Sequence, residues 1–238
     1  MASPLGHATA VKSGGLWPLR FMRGILCRSL RRWGSYVSPV IIVLEGKNDV
    51  EFFRRISAVL QAADTSVPDL QMMEHRGRIV FLPCGGVDLK SGPWRLVPLA
   101  CREFHLFDRD RLEEAYSRRE AAVLINLRPG CRAAVTGKRA VENYLHPRAV
   151  FEARGIEIQF SDEDDVAEVA ATACYAEQGP TATWESLPAR ARKRYRNHVK
   201  RWLNTRAVDQ MTAARLAERD PDGEVRGWLA TIAELARS

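Results

Sequence analysis

The segment from Pro39 to Gly46 constrains the fold of this chain more than any other. It contains five consecutive apolar residues, Val40 to Leu44, of which four are β-branched. A short apolar run bounded by Pro and Gly predicts a strand buried on both faces, as in parallel sheets. A helix is expected directly after it, with Asn48 as its cap and Glu51 completing a capping box.

Three further short strands are predicted, at Ile79 to Leu82, Phe104 to Phe107 and Arg132 to Val135. Helical patterns separate them, one from Leu112 to Leu127 and another beginning at Lys138. Strands that alternate with helices predict an α/β fold, with a mostly parallel sheet flanked by helices. Functional residues in such folds gather beyond the carboxyl ends of the strands.

The chain divides by composition into three regions. Residues 1–38 form a basic arm, residues 39–146 carry the α/β pattern, and residues 147–238 form a helical C-terminal region. The helical region should contain four helices, at 166–176, 187–203, 211–218 and 224–236.

The positive charge is concentrated in the arm. The net charge is +7, and residues 1–38 contain six basic residues and no acid, which leaves 30 basic against 29 acidic residues in the rest. A general basic surface for nucleic acid is therefore excluded, and any such surface must be local. We expect the arm to be disordered or to result from a misplaced start codon, with a transit peptide or a surface-binding helix as alternatives.

Composition also bears on the cellular setting. No apolar stretch approaches the ~20 residues of a membrane-spanning helix, so no membrane association is expected. Five widely spaced cysteines provide neither a metal knuckle nor a disulfide framework, which favours a reducing cytoplasm.

Acidic residues follow two of the predicted strands. Glu45 and Asp49 lie across the first strand-to-helix turn, and Asp108 and Asp110 follow the strand that ends at Phe107. If these strands are neighbours, four carboxylates converge at one edge of the sheet. Their mutual repulsion calls for a cation, and hard oxygen ligands favour Mg²⁺ or Mn²⁺.

These motifs together resemble the topoisomerase-primase (TOPRIM) domain. That signature has a Glu-Gly at a strand end, here Glu45-Gly46, an Asp three positions after the Gly, here Asp49, and then Asp-x-Asp, here Asp108-Arg109-Asp110. Gly85-Gly86 stands where the family has its middle glycine turn. The resemblance covers roughly residues 39–146.

A further segment resembles the TOPRIM part of overcoming-lysogenization-defect (OLD) family nucleases. Lys138 to Leu145 is similar to their Arg-x-x-Glu-Asn-Tyr-Leu segment, with Arg139 and Glu142 at the Arg and Glu positions. OLD nucleases carry an ATPase, whereas this sequence has no phosphate-binding loop motif. The resemblance therefore implies a stand-alone unit, a truncated relative, or one that uses an ATPase partner.

The resemblance implies hydrolysis of a phosphodiester with two Mg²⁺ or Mn²⁺ ions. Its acidic residues are divided between the ions, the first held by Glu45, Asp49 and Asp108 and the second by Asp110 and Glu142. Lys138 or Arg139 would stabilise the developing phosphate charge. In a variant of this scheme, Glu45 is the general acid/base and one metal lies on the Asp pair.

A local basic surface is predicted on the helix near residue 190. Five residues share one side of this helix: Arg190, Lys193, Arg194, Lys200 and Arg201. This face either follows a nucleic-acid backbone or is simply solvated. Tyr195 and Trp202 lie on the opposite side and are expected to be core residues.

The leading hypothesis is a metal-dependent nuclease, with DNA favoured over RNA. The alternative is a catalytically silent TOPRIM module that binds nucleic acid or a partner ATPase. A nucleotidyl transferase or phosphatase is a third, weaker hypothesis, and a homodimer is left open.

Overall fold

A four-stranded parallel sheet forms the centre of the protein in a computed structural model, which describes residues 38–84 and 96–237. The strand order is β2-β1-β3-β4, with β1 (Val40–Leu44), β2 (Ile79–Pro83), β3 (Glu103–Phe107) and β4 (Cys131–Val135). The predicted α/β fold and all four strands are confirmed, and every strand pair is parallel. The predicted arm apart from Ser38, and the Gly85-Gly86 turn, lie outside the described residues.

Eight α-helices flank or follow this sheet within the described residues. They are α1 (Lys47–Ala63), α2 (Leu70–His75), α3 (Leu112–Asn126), α4 (Pro147–Arg154), α5 (Val166–Ala176), α6 (Ala189–Trp202), α7 (Ala213–Arg219) and α8 (Glu224–Arg237). A 3₁₀ turn at Val97–Leu99, a second at Val141–Tyr144 and a π-helical turn at Leu203–Ala207 complete the secondary structure. The helices α2 and α4 were not predicted, because six and eight residues are too short to show a helical period.

The central strand β1 is buried on both faces, as its sequence predicts. Alternate residues of a strand point to opposite faces. Ile42 and its neighbours on one face join the large core formed with α1 and α8, while Ile41 and Val43 pack with Leu96 on the other face. The continuous apolar run is thus explained by cover on both sides.

The start of α1 differs from the prediction. Gly46, not Asn48, is the N-cap, and the Asp49 carboxylate accepts a hydrogen bond from the Gly46 N–H at 2.7 Å. Glu51 instead pairs with Arg54 at 2.9 Å. The predicted cap is therefore wrong by two residues, and the bond from the Gly46 N–H fixes the position of the Asp49 carboxylate.

The helix predicted to begin at Lys138 is also wrong. The chain bends there and forms only the 3₁₀ turn Val141–Tyr144. Asp108 accepts a hydrogen bond from the Val141 N–H at 3.2 Å, and Asn143 accepts one from the Ala140 N–H at 3.0 Å. Side chains thus satisfy the backbone donors that a helix would otherwise use.

The helical C-terminal region shares the core of the sheet region. Helix α8 packs on β1 and β3, and its Trp228 ring stacks on Phe53 with a centroid separation of 6.0 Å. The Tyr144 ring meets the same indole edge-on at 5.3 Å. The C-terminal helices therefore complete the protein's main hydrophobic core.

Candidate active site

The two acidic strand ends meet, because β1 and β3 are neighbours in the sheet. Val43 is the pairing partner of His105, which places Glu45 beside the residues that follow β3. The Asp108 N–H donates a hydrogen bond to Glu45 Oε1 at 3.1 Å. The convergence expected from the sequence is therefore present at this edge.

Three of the acidic residues form a buried group that we call the inner cluster: Asp49, Asp108 and Glu142. Each is no more than 5% exposed. The Lys200 ammonium lies among them, with Nζ 3.2 Å from Glu142 Oε1 and 3.8 Å from Asp49 Oδ1. One ammonium therefore faces three carboxyl groups.

The inner cluster strongly perturbs the ionisation of its members. Burial raises the pKa of Asp49 to about 6, although Lys200 opposes the shift. Burial, followed by the nearby charge of Asp49, holds the pKa of Asp108 well above its usual range. The charge of Glu142 raises the pKa of Lys200. Such a group of carboxyls gains stability when further positive charge enters it.

The π-helical turn after α6 adds Asn204 to the inner cluster. Asn204 is fully buried and donates from Nδ2 to Glu142 Oε1 at 2.5 Å and to the Lys200 carbonyl at 2.9 Å. Within the described residues, neither Asn204 Oδ1 nor Asp49 Oδ1 accepts a hydrogen bond. Buried acceptor oxygens without a donor are rare and costly, and a cation is one group that satisfies them.

The remaining two carboxylates, Glu45 and Asp110, form an outer cluster with Arg118 of α3. The Arg118 guanidinium bonds to Glu45 and the Asp108 carbonyl through Nη1 and to Asp110 through Nη2. Asp110 has a left-handed backbone, with φ of 54°. Burial raises the pKa of Glu45, and the positive charge of Arg118 opposes the rise.

This arrangement differs from the ligand grouping implied by the resemblance. Glu142 shares Lys200 with Asp49, whereas Asp110 shares Arg118 with Glu45. The five acidic residues are all at the edge where they were expected, but the division between them is new. This division could not be predicted from sequence patterns, because it depends on how α6 and α3 pack and so on which carboxylates Lys200 and Arg118 reach.

Lys138 and Arg139 do not point at these carboxylates. The Lys138 Nζ pairs with Asp162 at 2.6 Å, and the Arg139 guanidinium lies 3.5 Å from Asp165. The backbone of Arg139 does contribute, since its carbonyl accepts the Asp110 N–H at 2.8 Å. The phosphate-stabilising role expected of both side chains has no support from these contacts.

The predicted basic face of α6 is largely retained. The exposed residues are Arg190, Lys193, Arg194 and Arg201. Lys200 departs from the prediction, because it is half-buried and its ammonium reaches the inner cluster. Trp202 is buried as expected, and Tyr195 is half-buried beside the Trp184 ring.

Gly46 serves as a helix cap and not as a conformationally special glycine. Its φ of −146° is extended backbone, and an added Cβ would lie 3.6 Å from the nearest carboxylate oxygen. The second predicted glycine turn, Gly85-Gly86, falls in the part of the chain left undescribed. The turn at Gly46 therefore owes its shape to Asp49.

The described geometry does not by itself show a metal site. In the described part of the chain, no three His, Cys, Asp or Glu residues are arranged to hold an ion directly. The cations of Lys200 and Arg118 lie against the carboxylates instead. The oxygen-rich donor set and the Asp49 Oδ1 atom nevertheless fit a hard divalent cation, which would add the positive charge that the inner cluster lacks.

Comparisons with protein-family models, with curated proteins and with solved structures gave no match. The resemblance to TOPRIM and OLD proteins therefore stays a prediction. Among the helices of residues 38–84 and 96–237, none combines the length and the apolar content needed to cross a bilayer.

Proposed function

We propose that this protein is a Mg²⁺- or Mn²⁺-dependent nuclease that hydrolyses phosphodiester bonds, with DNA as its substrate. The observation that supports this most is the inner cluster. Asp49, Asp108 and Glu142 are buried beside the Lys200 ammonium, the one ammonium that contacts them among the described residues, and they lie at the sheet edge where α/β enzymes carry out their chemistry. Groups with such perturbed pKa values concentrate at functional sites.

Each residue of the site has a chemical task in this proposal. The inner cluster would have to close around the divalent cation, because its carboxylates as described are not arranged to hold an ion directly. When bound, the cation would neutralise charge on a phosphodiester and favour attack by water. Lys200 donates to a phosphate oxygen at the same place, a role that its contacts support better than those of Lys138 or Arg139. Glu45 is half-buried with a raised pKa, which suits a group that exchanges a proton with water or the leaving oxygen.

The exposed basic residues of α6 extend this proposal to the substrate. Lys200, in the last turn of α6, reaches the inner cluster. The exposed basic residues earlier in this helix therefore extend along the helix from the site. Regularly placed Arg and Lys side chains bind phosphates of a nucleic-acid backbone.

The cellular setting and a partner belong to the same proposal. Cys101, Cys131 and Cys174 form no disulfide with any of the described residues, which agrees with a cytoplasmic protein. An ATPase partner acting in trans fits a sequence without a phosphate-binding loop motif.

The test compares Asp108→Asn with the wild type in a cleavage assay on plasmid and single-stranded DNA with Mg²⁺ or Mn²⁺. Asn keeps an oxygen that accepts the Val141 N–H, so the fold is expected to persist. Cleavage should fall to background, because the substituted residue has lost the charge that holds the cation. Thermal melting in EDTA should show equal or slightly higher stability, since one buried carboxyl has been removed.

Asp222→Asn is the matched control, because Asp222 is exposed in the loop before α8. This control should cleave like the wild type. If Asp108→Asn prepared in the same way retains cleavage, the activity belongs to a contaminant or to another site, and the proposal is wrong.

The accessory-module hypothesis is favoured by one observation. Lys200 and Arg118 already bond to the carboxylates, as they would in an ion-pair network with no catalytic task. This hypothesis expects metal binding without cleavage, with or without a partner ATPase, and binding of DNA that Asp108→Asn leaves unchanged.

A further inference from the structure

We propose that the Arg118 guanidinium is the resident cation of the outer cluster, so that the site binds one divalent ion, at the inner cluster, and not two. This inference rests on the proposed function, since it concerns the number of ions that the nuclease uses. It departs from the two-ion arrangement that the TOPRIM resemblance implies.

Arg118 occupies a position on α3 where an apolar residue would be expected. The buried residues of this helix recur at helical spacing, namely Ala115, Ala121, Ala122 and Ile125. Arg118 lies on the same face and is 8% exposed, while its neighbour Arg119 is exposed. The apolar residues of this face pack on the sheet, namely Ala121, Ala122 and Ile125 against Phe107 and Cys131. This packing fixes the position of the Arg118 guanidinium.

The contacts of Arg118 use both terminal nitrogens of its guanidinium. Nη1 bonds to Glu45 and, at 2.6 Å, to the carbonyl of Asp108, and Nη2 bonds to Asp110. The guanidinium thereby connects the ends of β1 and β3, as a metal ion bridging the two acidic motifs would. An Arg side chain stays charged at any physiological pH and donates in a fixed planar geometry, so it is a permanent cation at this place.

The two clusters differ in how far their negative charge is compensated by positive charge. In the outer cluster, the two carboxylates described here, Glu45 and Asp110, pair with one guanidinium and are each about one third exposed to water. In the inner cluster, three carboxyl groups share one ammonium at much lower exposure. Two buried oxygens of the inner cluster, on Asp49 and Asn204, also lack a hydrogen-bond donor among the described residues. The demand for an added cation is therefore greatest at the inner cluster.

The test counts bound ions by titrating the metal-free protein with Mn²⁺, followed by electron paramagnetic resonance of free Mn²⁺. Wild type and the control Arg119→Gln should bind one ion per chain. Arg118→Gln should bind two, because Glu45 and Asp110 lose their guanidinium and become available as ligands. Asp110→Asn in the wild-type background should still bind one ion with an unchanged dissociation constant.

Asp110→Asn keeps the inference testable if Arg118→Gln does not fold. Two ions on the wild type, reduced to one by Asp110→Asn, would overturn the inference and leave the nuclease proposal standing. One ion on both the wild type and a folded Arg118→Gln would also overturn it, because Arg118 would then not be what excludes the second ion. No bound ion on the wild type would overturn both this inference and the proposed function.

Discussion

The backbone N–H of Asp108 donates a hydrogen bond to the Glu45 carboxylate across 3.1 Å, joining two strand ends that are 63 residues apart in the chain. This bond depends on the pairing of β1 with β3, so the sheet itself sets the distance between the two acidic motifs. The Asp49 carboxylate is held in a similar way by the Gly46 N–H. The backbone thus positions the acidic side chains before any ion or substrate binds.

The raised pKa of Asp49 predicts how the stability of the metal-free protein depends on pH. The carboxyl titrates at about 6 in the folded protein because it is buried, and near ~3.9 when the chain is unfolded. Between these values the folded state retains a proton that the unfolded state has lost, so the contribution of this group to the free energy of unfolding falls as pH rises. Asp49→Asn should not lose stability in this way. Its free energy of unfolding should therefore rise relative to that of the wild type by about 2–3 kcal/mol as the pH increases from ~4 to ~7.

Urea unfolding in EDTA at a series of pH values measures this difference. Asp222→Asn serves as the control and should follow the wild type at every pH, because its carboxyl is exposed. A difference between Asp49→Asn and the wild type that stays constant with pH would show that burial does not raise the pKa of this carboxyl.

Lys200→Met is expected to destabilise the metal-free protein and to increase the stabilisation that the protein gains from Mg²⁺. Removing the ammonium leaves Glu142 and Asp49 buried without their cation, which typically costs about 3–5 kcal/mol. Millimolar Mg²⁺ should restore part of this loss, because the ion takes over the missing positive charge. Thermal melts with EDTA and with Mg²⁺ should therefore differ more for Lys200→Met than for the wild type.

Arg201→Met is the matched control, since Arg201 is the next residue on α6 and is exposed. Its melting temperature should change little in either buffer. If Lys200→Met is as stable as the wild type in EDTA, the ammonium does not compensate the inner cluster.

The fold could be predicted from sequence where the chemistry is local. All four strands are confirmed because each is a short, mostly apolar run ended by Pro, Gly or polar residues. The predicted helix at Lys138 was wrong because a distant side chain decides the local structure: the Asp108 carboxylate accepts the Val141 N–H. Local pattern rules do not include such partners.

The site could be predicted only in its acidic half. The spacing in the sequence identifies the five acidic residues Glu45, Asp49, Asp108, Asp110 and Glu142. The cations of Lys200 and Arg118 come from helices whose packing against the sheet could not be predicted from the sequence. One signal was present for Arg118, because it falls on the same helical face as Ala115 and Ala122. For Asn204 we find no sequence signal, since its role arises from the π-helical turn that contains it.

Trp228→Ala tests whether the C-terminal helices complete the core of the sheet region. The indole is buried between Phe53 and Tyr144, two residues from outside the C-terminal region. Its removal should cost about 3–5 kcal/mol of unfolding free energy, because a cavity replaces the packed ring. Urea unfolding should still show one transition, shifted to lower urea. Two separate transitions would indicate that residues 147–238 fold independently.

The exposed basic face of α6 predicts salt-dependent binding to DNA. A combined variant with Ala at Arg190, Lys193 and Arg194 should bind DNA more weakly, because each side chain that neutralises a phosphate releases a counterion. On duplex DNA, the slope of log binding constant against log salt should become less steep by roughly 0.9 for each phosphate that the variant leaves unneutralised. Fluorescence anisotropy over a range of salt concentrations measures both the affinity and the slope.

A charge-matched control separates a local surface on α6 from a general reduction of positive charge. This control carries Ala at Arg76, Arg119 and Arg237, which are exposed on other helices or beside them. It removes the same number of positive charges, so any long-range electrostatic attraction of DNA falls by a similar amount in both variants. Equal slopes for the two variants would show that α6 is only a solvated face, whereas a reduced slope confined to the α6 variant identifies this helix as the path of the DNA backbone.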